Sequence, residues 1–380
     1  MVARAHGPAH PQSSLYIPSL DGMRALAFLV VFVAHSMPYN ILPGGFGVTI
    51  FFFLSGYLIT TLLRGEAQKT STISLKGFYM RRVLRIFPPC YLTIIVVAIL
   101  AAAGVLYNVE SYRSLVAGFL YFSNYWNIAG WGNLPAGLGV LWSLAVEEHY
   151  YLLFPLLYAW FVRKSIRRRH QAMILIGLCV LALAWRCYRA FVIHSSWENI
   201  YEGTDTRFDA ILFGCALAVM ANPRFGDRID WLRKHANALA AGGAVVLVLT
   251  FVYRNQMFRE TFRYSVQSIA LMPIFFLVTL PQNHLVSRCL EWRVLRHLGQ
   301  LSYSMYLIHH TLFHHFYHYY RPGILVACVV LVLTFAYAQA MRTLVELPIQ
   351  RARGHGEKRP AVVVPIDSVK GPELQRATAK

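Results

Sequence analysis

Apolar runs of bilayer length recur along almost the whole chain, and nothing else in the sequence constrains the fold as strongly. Ten can be drawn, at residues 21–38, 46–63, 87–107, 141–162, 171–190, 207–222, 237–253, 265–281, 300–319 and 323–344. Each is close to the ~20 residues that a helix needs to cross a hydrocarbon core. Backbone amides in lipid have no water to bond, so such a run must satisfy them internally, as a helix does. The expected fold class is therefore all-α, a polytopic integral membrane bundle of about ten transmembrane helices. Composition agrees: 57% of residues are hydrophobic and 14% charged, where a soluble domain has about 25% charged.

The formal net charge is +19, which in a soluble chain would point to nucleic acid. Here the basic residues are spread over short connections and form no single stripe, which excludes a nucleic-acid binder. Their distribution reads as orientation. With the N-terminus inside, the inner connections hold 26 Lys and Arg and the outer ones eight. That bias places both termini in the cytoplasm and the chain, multi-pass, in the cytoplasmic (inner) membrane. No small-residue cleavage site follows the first run, so it reads as a retained helix and not as a signal peptide. The six cysteines lie apart in mostly apolar segments, as buried free thiols do, without the close pairs of a zinc site.

Three sections follow: a cytoplasmic N-terminal segment at 1–19, a transmembrane domain at 20–345, and a polar, aperiodic cytoplasmic tail at 346–380 that reads as disordered. No internal repeat is visible. Two outer connections, 108–140 and 191–206, are long enough to fold over a cavity, and the first contains the aromatic and glycine-rich stretch YFSNYWNIAGWGNLPAGLG.

Against this background a few polar side chains stand out, because charge at membrane depth is costly and usually faces a partner or a water-filled cavity. In DGMRALAFLVVFVAHS, Arg24 and His35 are eleven residues apart. That is roughly 1100° of helical rotation and about 16 Å of rise, so the two share one face. Asp21 lies near it, one turn from Arg24. Arg81, Arg82 and Arg85 in FYMRRVLRIFPP sit at the cytoplasmic end of the third run, where guanidinium forks suit a phosphorylated ligand and also suit anionic lipid. Glu147 and Glu148, with Ser143 a turn away, open the fourth run. A carboxylate there needs a histidine or arginine from another helix. Arg207 and Asp209 begin the sixth, as a structural clamp or as a substrate contact. In LSYSMYLIHHTLFHHFYHYY, His309 falls near the depth of His35, about 15 Å above Gly299. His310, His314 and His318 have a spacing that could ligate metal, but they climb among tyrosines toward the outer interface, and no metal site is expected.

These segments resemble the acyltransferase-3 family of integral-membrane acyltransferases. Its first span carries an arginine and a histidine with ten residues between, as Arg24 and His35 do. FFFLSGYLIT is similar to its second-span motif, RRVLRIFP to its cytoplasmic RxxR element, LWSLAVEEHYYLLFP to its WSLxxE element and LSYSMYLIHH to its late span. The five occur in family order from residue 20 to about 345. His149 and Tyr150 stand where Gln-Phe is common.

The resemblance implies acyl transfer, usually of acetyl, from a cytoplasmic acyl-CoA to a hydroxyl of a glycan or other acceptor. Some members add an extracytoplasmic SGNH-type domain; residues 345–380 leave no room for one. On this reading His35, Glu147 and His309 are the catalytic candidates. A partly buried imidazole is the usual base for activating a hydroxyl, and a carboxylate neighbouring His35 would tune it. An acyl-His35 intermediate is the other route.

Arg24, Arg82 and Arg85 would hold the phosphates of acyl-CoA, a co-substrate, with no permanently bound cofactor. Ser143, Arg207, Asp209 and Trp126 are the candidates for the acceptor, a lipid-linked or cell-surface glycan. The ring-and-amide series Tyr121, Asn124, Tyr125, Trp126, Asn127, Trp131 and Asn133 suits sugar stacking and equally suits an interfacial belt. Membrane lipids are further partners, and a homo-oligomer is open. The competing class is a transporter or channel for a glycan precursor or polar metabolite, against which stands the absence of paired, Gly/Pro-broken segments in two halves.

Overall fold

The computed structural model describes residues 16–37, 43–225, 229–280 and 285–356. Ten principal helices follow the apolar runs: α1 Pro18–Ser36, α2 Gly44–Thr70, α3 Leu75–Ala102, α4 Leu141–Arg163, α5 Arg168–Phe191, α6 Asp209–Met220, α7 Asp230–Val252, α8 Phe262–Thr279, α9 Arg293–Tyr319 and α10 Ile324–Met341. No strand occurs among the described residues. By length and apolar composition α1, α2, α3, α5, α7, α8 and α10 qualify as membrane spans. The other three are the polar-bearing α4 and α9 and the short α6, whose 12 residues fall below the ~20 that a full crossing needs. The molecule is a multi-pass membrane helical bundle.

Burial sorts these helices. Along α7 and α10, residues such as Val248 (57% exposed), Val252 (69%) and Leu325 (79%) face outward, which in lipid costs nothing. The inner helices pack backbone to backbone. A methyl group on Gly56 of α2 would collide with the Ile211 carbonyl of α6, and one on Gly214 of α6 would collide with the Phe53 carbonyl of α2. Close small-residue approach of this kind replaces the hydrophobic drive that lipid removes. Around it α1, α2, α6 and α8 bury more than half of their residues.

Local sequence sets the ends. Pro18 opens α1, where a missing N–H costs nothing, and the Ser74 hydroxyl caps α3 by accepting from the Gly77 N–H at 3.2 Å. After α10 the chain passes through a π turn, Arg342–Glu346, into Leu347–Gly356. The tail boundary drawn at 346 thus falls inside a continuous helix, because the basic QRAR stretch can wind on where the apolar run ends. Residues 357–380 lie outside the described residues.

The two long connections fold over one end of the bundle, here termed the loop face. Asn124 of the short helix Ser123–Ile128 donates to the Glu202 carbonyl (3.1 Å) and to Thr204 Oγ1 (3.0 Å), tying it to the helix Trp197–Glu202. The opposite end, carrying Lys69, Arg81, Arg82 and Arg85, is the basic face.

Candidate active site

Three cavities with common walls run through the bundle. One of about 760 Å³ opens among Lys69, Arg81, Arg342 and Glu346 at the basic face. It shares Arg24, Ser55, Arg82, Arg85, Tyr151, Gln300 and Tyr303 with a narrow inner cavity of about 110 Å³. That cavity in turn shares Val48 and Tyr306 with a loop-face cavity of about 430 Å³, which His35 and His310 line.

His35, at the last turn of α1, meets His309 of α9 with Nδ1···Nε2 at 3.0 Å. The partners fix the tautomers. His309 Nδ1 lies 2.7 Å from the Tyr306 carbonyl, an acceptor only, so Nδ1 donates and Nε2 of the neutral ring must accept. His35 therefore donates from Nδ1 and keeps its Nε2 lone pair, which has no protein partner among the described residues. His309 is fully buried (0% exposed) and orients His35 without touching the cavity.

His310 donates from Nδ1 to the Gly137 carbonyl at 2.6 Å. Gly137 itself is required there: its φ is +75°, and a Cβ would strike His314 and the His310 carbonyl.

On the other side of Tyr306 the chemistry changes. Tyr151 donates to Ser55 Oγ (3.1 Å), and Ser55 donates to Glu147 Oε1 (2.8 Å). Glu147 thus belongs to the inner cavity with Arg24, Arg82, Arg85 and Glu148. The expected His35–Glu147 neighbourhood is not formed. Glu147 lies six residues into α4, about 9 Å along its axis, and turns to Ser55 of α2, while His35 is taken by His309. Arg24 reaches Asp21 at 3.6 Å, and Arg82 lies over the Tyr151 ring at 5.4 Å. Ser143 pairs with the Tyr306 hydroxyl at 2.8 Å, which makes this bonded pair the wall between the two cavities.

The other acceptor candidates, Arg207, Asp209 and Trp126, line none of these three cavities. Asp209 accepts both arms of Arg186, at 3.1 and 2.9 Å, and the Ser265 hydroxyl at 2.6 Å. Arg186 spends its remaining three donors on the Thr261 carbonyl (2.8 Å), the Thr206 carbonyl and Ser265 Oγ (2.6 Å). The clamp's cation is thus Arg186, not Arg207, because Arg186 projects from α5 directly at the first turn of α6. Arg207, 0% exposed, is sealed among rings, 3.9 Å over Tyr264 and 5.1 Å over Tyr201. Trp126 packs edge-on against Trp131 at 5.0 Å. Ser123 and Asn127, four residues apart, present the cavity-lining face of their short helix, and Trp126 is turned from it.

In their place the loop-face cavity is lined by Glu202, Trp197, Tyr201, Arg259 and Arg263, which sequence reading had assigned no role. The one available signal was the length of the 191–206 connection. Burial pushes the Glu202 carboxyl up to about 7, against the pull of its bond from Asn127 Nδ2 at 2.9 Å. Among the described residues no group of three His, Cys, Asp or Glu side chains is placed to hold a metal ion.

The chain is 33% identical over 361 residues to a peptidoglycan O-acetyltransferase (OatA) of Listeria monocytogenes, an overlap of 89% of this chain and 56% of that protein. It is 32% identical over 358 residues to an O-acetyltransferase (OatA) of Staphylococcus aureus, covering 89% and 58%. It is 29% identical over 353 residues to a putative O-acetyltransferase of the same species, covering 88% and 58%. It thus spans little more than half the length of these relatives. No solved structure matches it. The family model described as an acyltransferase domain matches residues 17–342, the stretch that carries the whole lining of the inner and loop-face cavities, and the chain belongs to that acyltransferase family.

Proposed function

We propose that the chain is a membrane O-acetyltransferase that moves an acetyl group from acetyl-CoA to a hydroxyl of a cell-surface or lipid-linked glycan, with the basic face in the cytoplasm. The observation that carries this reading is the line of three cavities with arginines at one end and an imidazole with a free lone pair at the other. Arg24, Arg82 and Arg85 suit the phosphates of CoA, since guanidinium forks pair with phosphate oxygens. The narrow inner cavity suits a slender thioester arm and excludes a nucleotide. Glu147, bonded to Ser55, is a counter-charge that holds the arginines in a low-dielectric site.

At the far end His35 Nε2 takes the proton of the acceptor hydroxyl as its oxygen attacks the thioester carbonyl. The new C–O bond forms, the C–S bond breaks, and the proton passes to the departing thiolate. His309, which accepts from His35 Nδ1, is a positioning residue.

A second route is supported by the same lone pair. Nε2 attacks the thioester first, and the acyl-imidazole is then opened by the acceptor. Purified full-length protein given radiolabelled acetyl-CoA and glycan separates the outcomes. Label in a base-labile glycan ester is expected, and label on the protein without acceptor selects the acyl-His35 route. Acetyl-CoA left intact in the presence of every glycan tested would overturn the proposal.

A further inference from the structure

The loop-face cavity contains opposite charges that do not pair with each other. Glu202 is 9% exposed, and one of its oxygens accepts from Asn127 at 2.9 Å. The other accepts from nothing among the described residues. Arg259 and Arg263 line the same cavity and make no ion pair among the described residues. Arg263 lies over the Tyr264 ring at 5.4 Å, and the nearby Glu260 carboxylate is taken by Gln256 at 2.9 Å. The wall beside them is aromatic, with Trp197 stacked on Tyr201 at 4.4 Å and 15°.

Arginines in a membrane protein often record only orientation, but these two sit on the face poorer in basic residues, where that explanation does not apply. A cavity that offers two unpaired guanidinium groups selects for an anion, which they hold through charge-assisted forks. A carboxylate and an amide fixed side by side instead take hydroxyl or amide N–H donors, and a flat ring pair takes the face of a sugar.

We infer that the loop-face cavity is a binding site for an anionic saccharide: Arg259 and Arg263 take its carboxylate or phosphate, and Glu202 with Asn127 takes its hydroxyl or amide donors against the Trp197–Tyr201 wall. As the acceptor's identity this rests on the acetyltransferase reading; as a binding site it does not.

The test is equilibrium binding to full-length protein in lipid nanodiscs, with no acetyl-CoA present. The probes are a disaccharide containing N-acetylmuramic acid and its methyl ester, and N-acetylglucosamine 1-phosphate and N-acetylglucosamine. At least one anionic probe should bind ten times or more tighter than its neutral counterpart, and which pair shows this separates carboxylate from phosphate. Arg259→Gln with Arg263→Gln should remove the tenfold preference and leave neutral binding within twofold. Glu202→Gln should weaken both members of a pair alike.

Equal affinity of wild-type protein for both members of both pairs overturns the inference without any variant. So does a preference that survives the double substitution. If the charge preference is present but added acetyl-CoA stays intact with the bound saccharide and with every other glycan, the acetyltransferase reading fails and the site stands.

Discussion

Two polar clusters in the loop-side half of the bundle follow opposite rules. Around Arg186 and Asp209 all five guanidinium N–H groups and both carboxylate oxygens are bonded, and both side chains are 0% exposed. Around His35, the ring of His309 is saturated at both nitrogens, while His35 and His310 each spend one nitrogen, on His309 and on the Gly137 carbonyl, and their Nε2 atoms keep lone pairs beside a cavity. The first cluster ties α5, α6 and α8 together and has no valence left for a ligand. The second holds its shape through His309 and leaves a valence unused. Charged residues inside a membrane are a sign of function only when such a valence remains; a saturated pair is a fastening.

The sharpest way to break this comparison is His35→Ala. Transfer should fall by about 10²–10⁴-fold, the usual worth of a positioned acid–base group. The melting temperature should stay close to wild type, because the ring lies at the cavity edge. Activity assays beside thermal unfolding in micelles measure both, and a variant that unfolds early would place His35 among the fastenings.

Asp209→Ala is the converse. It strands Arg186 without its counter-charge, a loss of about 3–5 kcal/mol for a buried pair. Yield and melting temperature should drop while turnover per folded molecule persists. A stable but inactive Asp209→Ala protein would return Asp209 to the acceptor site.

Arg82→Ala and Arg85→Ala bear on the opposite end. Each lost charge-assisted phosphate contact costs about 1.5–3 kcal/mol, so the KM for acetyl-CoA should rise roughly ten- to a hundredfold while the KM for acceptor changes little. An unchanged donor KM would reduce these arginines to lipid contacts.

The smallest effect concerns Glu202, outside the spans. Burial holds its proton up to about 7, against 4.5 for an ordinary glutamate. Its protonated form is thus favoured by folding, a contribution complete below about pH 4.5 and lost as pH rises through about 7. The melting temperature of wild type relative to Glu202→Gln should therefore decline between those limits. A constant difference across the range would mean that Glu202 titrates as if exposed.

The bundle itself was legible in the chain. Bilayer-length runs leave no choice but helices, and ten of the drawn segments are helical in the fold. Arg24 and His35 could also be placed on one face, since helical rotation is a property of a single segment. Pairing between segments was not legible. Glu147 could have met a histidine or an arginine on any neighbouring helix, and only the packing of α2 on α4 gives it Ser55 and the inner cavity. Asp209 and Arg207 stand two residues apart, close enough to suggest a pair, yet the clamp is closed by Arg186 from another helix.

Only the length of its connection marked Glu202, and Arg259 and Arg263 carried no signal, because connections have no period that assigns a side chain to a face. The sequence alone determined the membrane, the helices and the positions of His35 and Arg24 along the first of them, through hydrophobic length and helical geometry. Tertiary structure alone decided which polar groups saturate each other and which keep a free valence, because that depends on distances between segments that the order of residues does not contain.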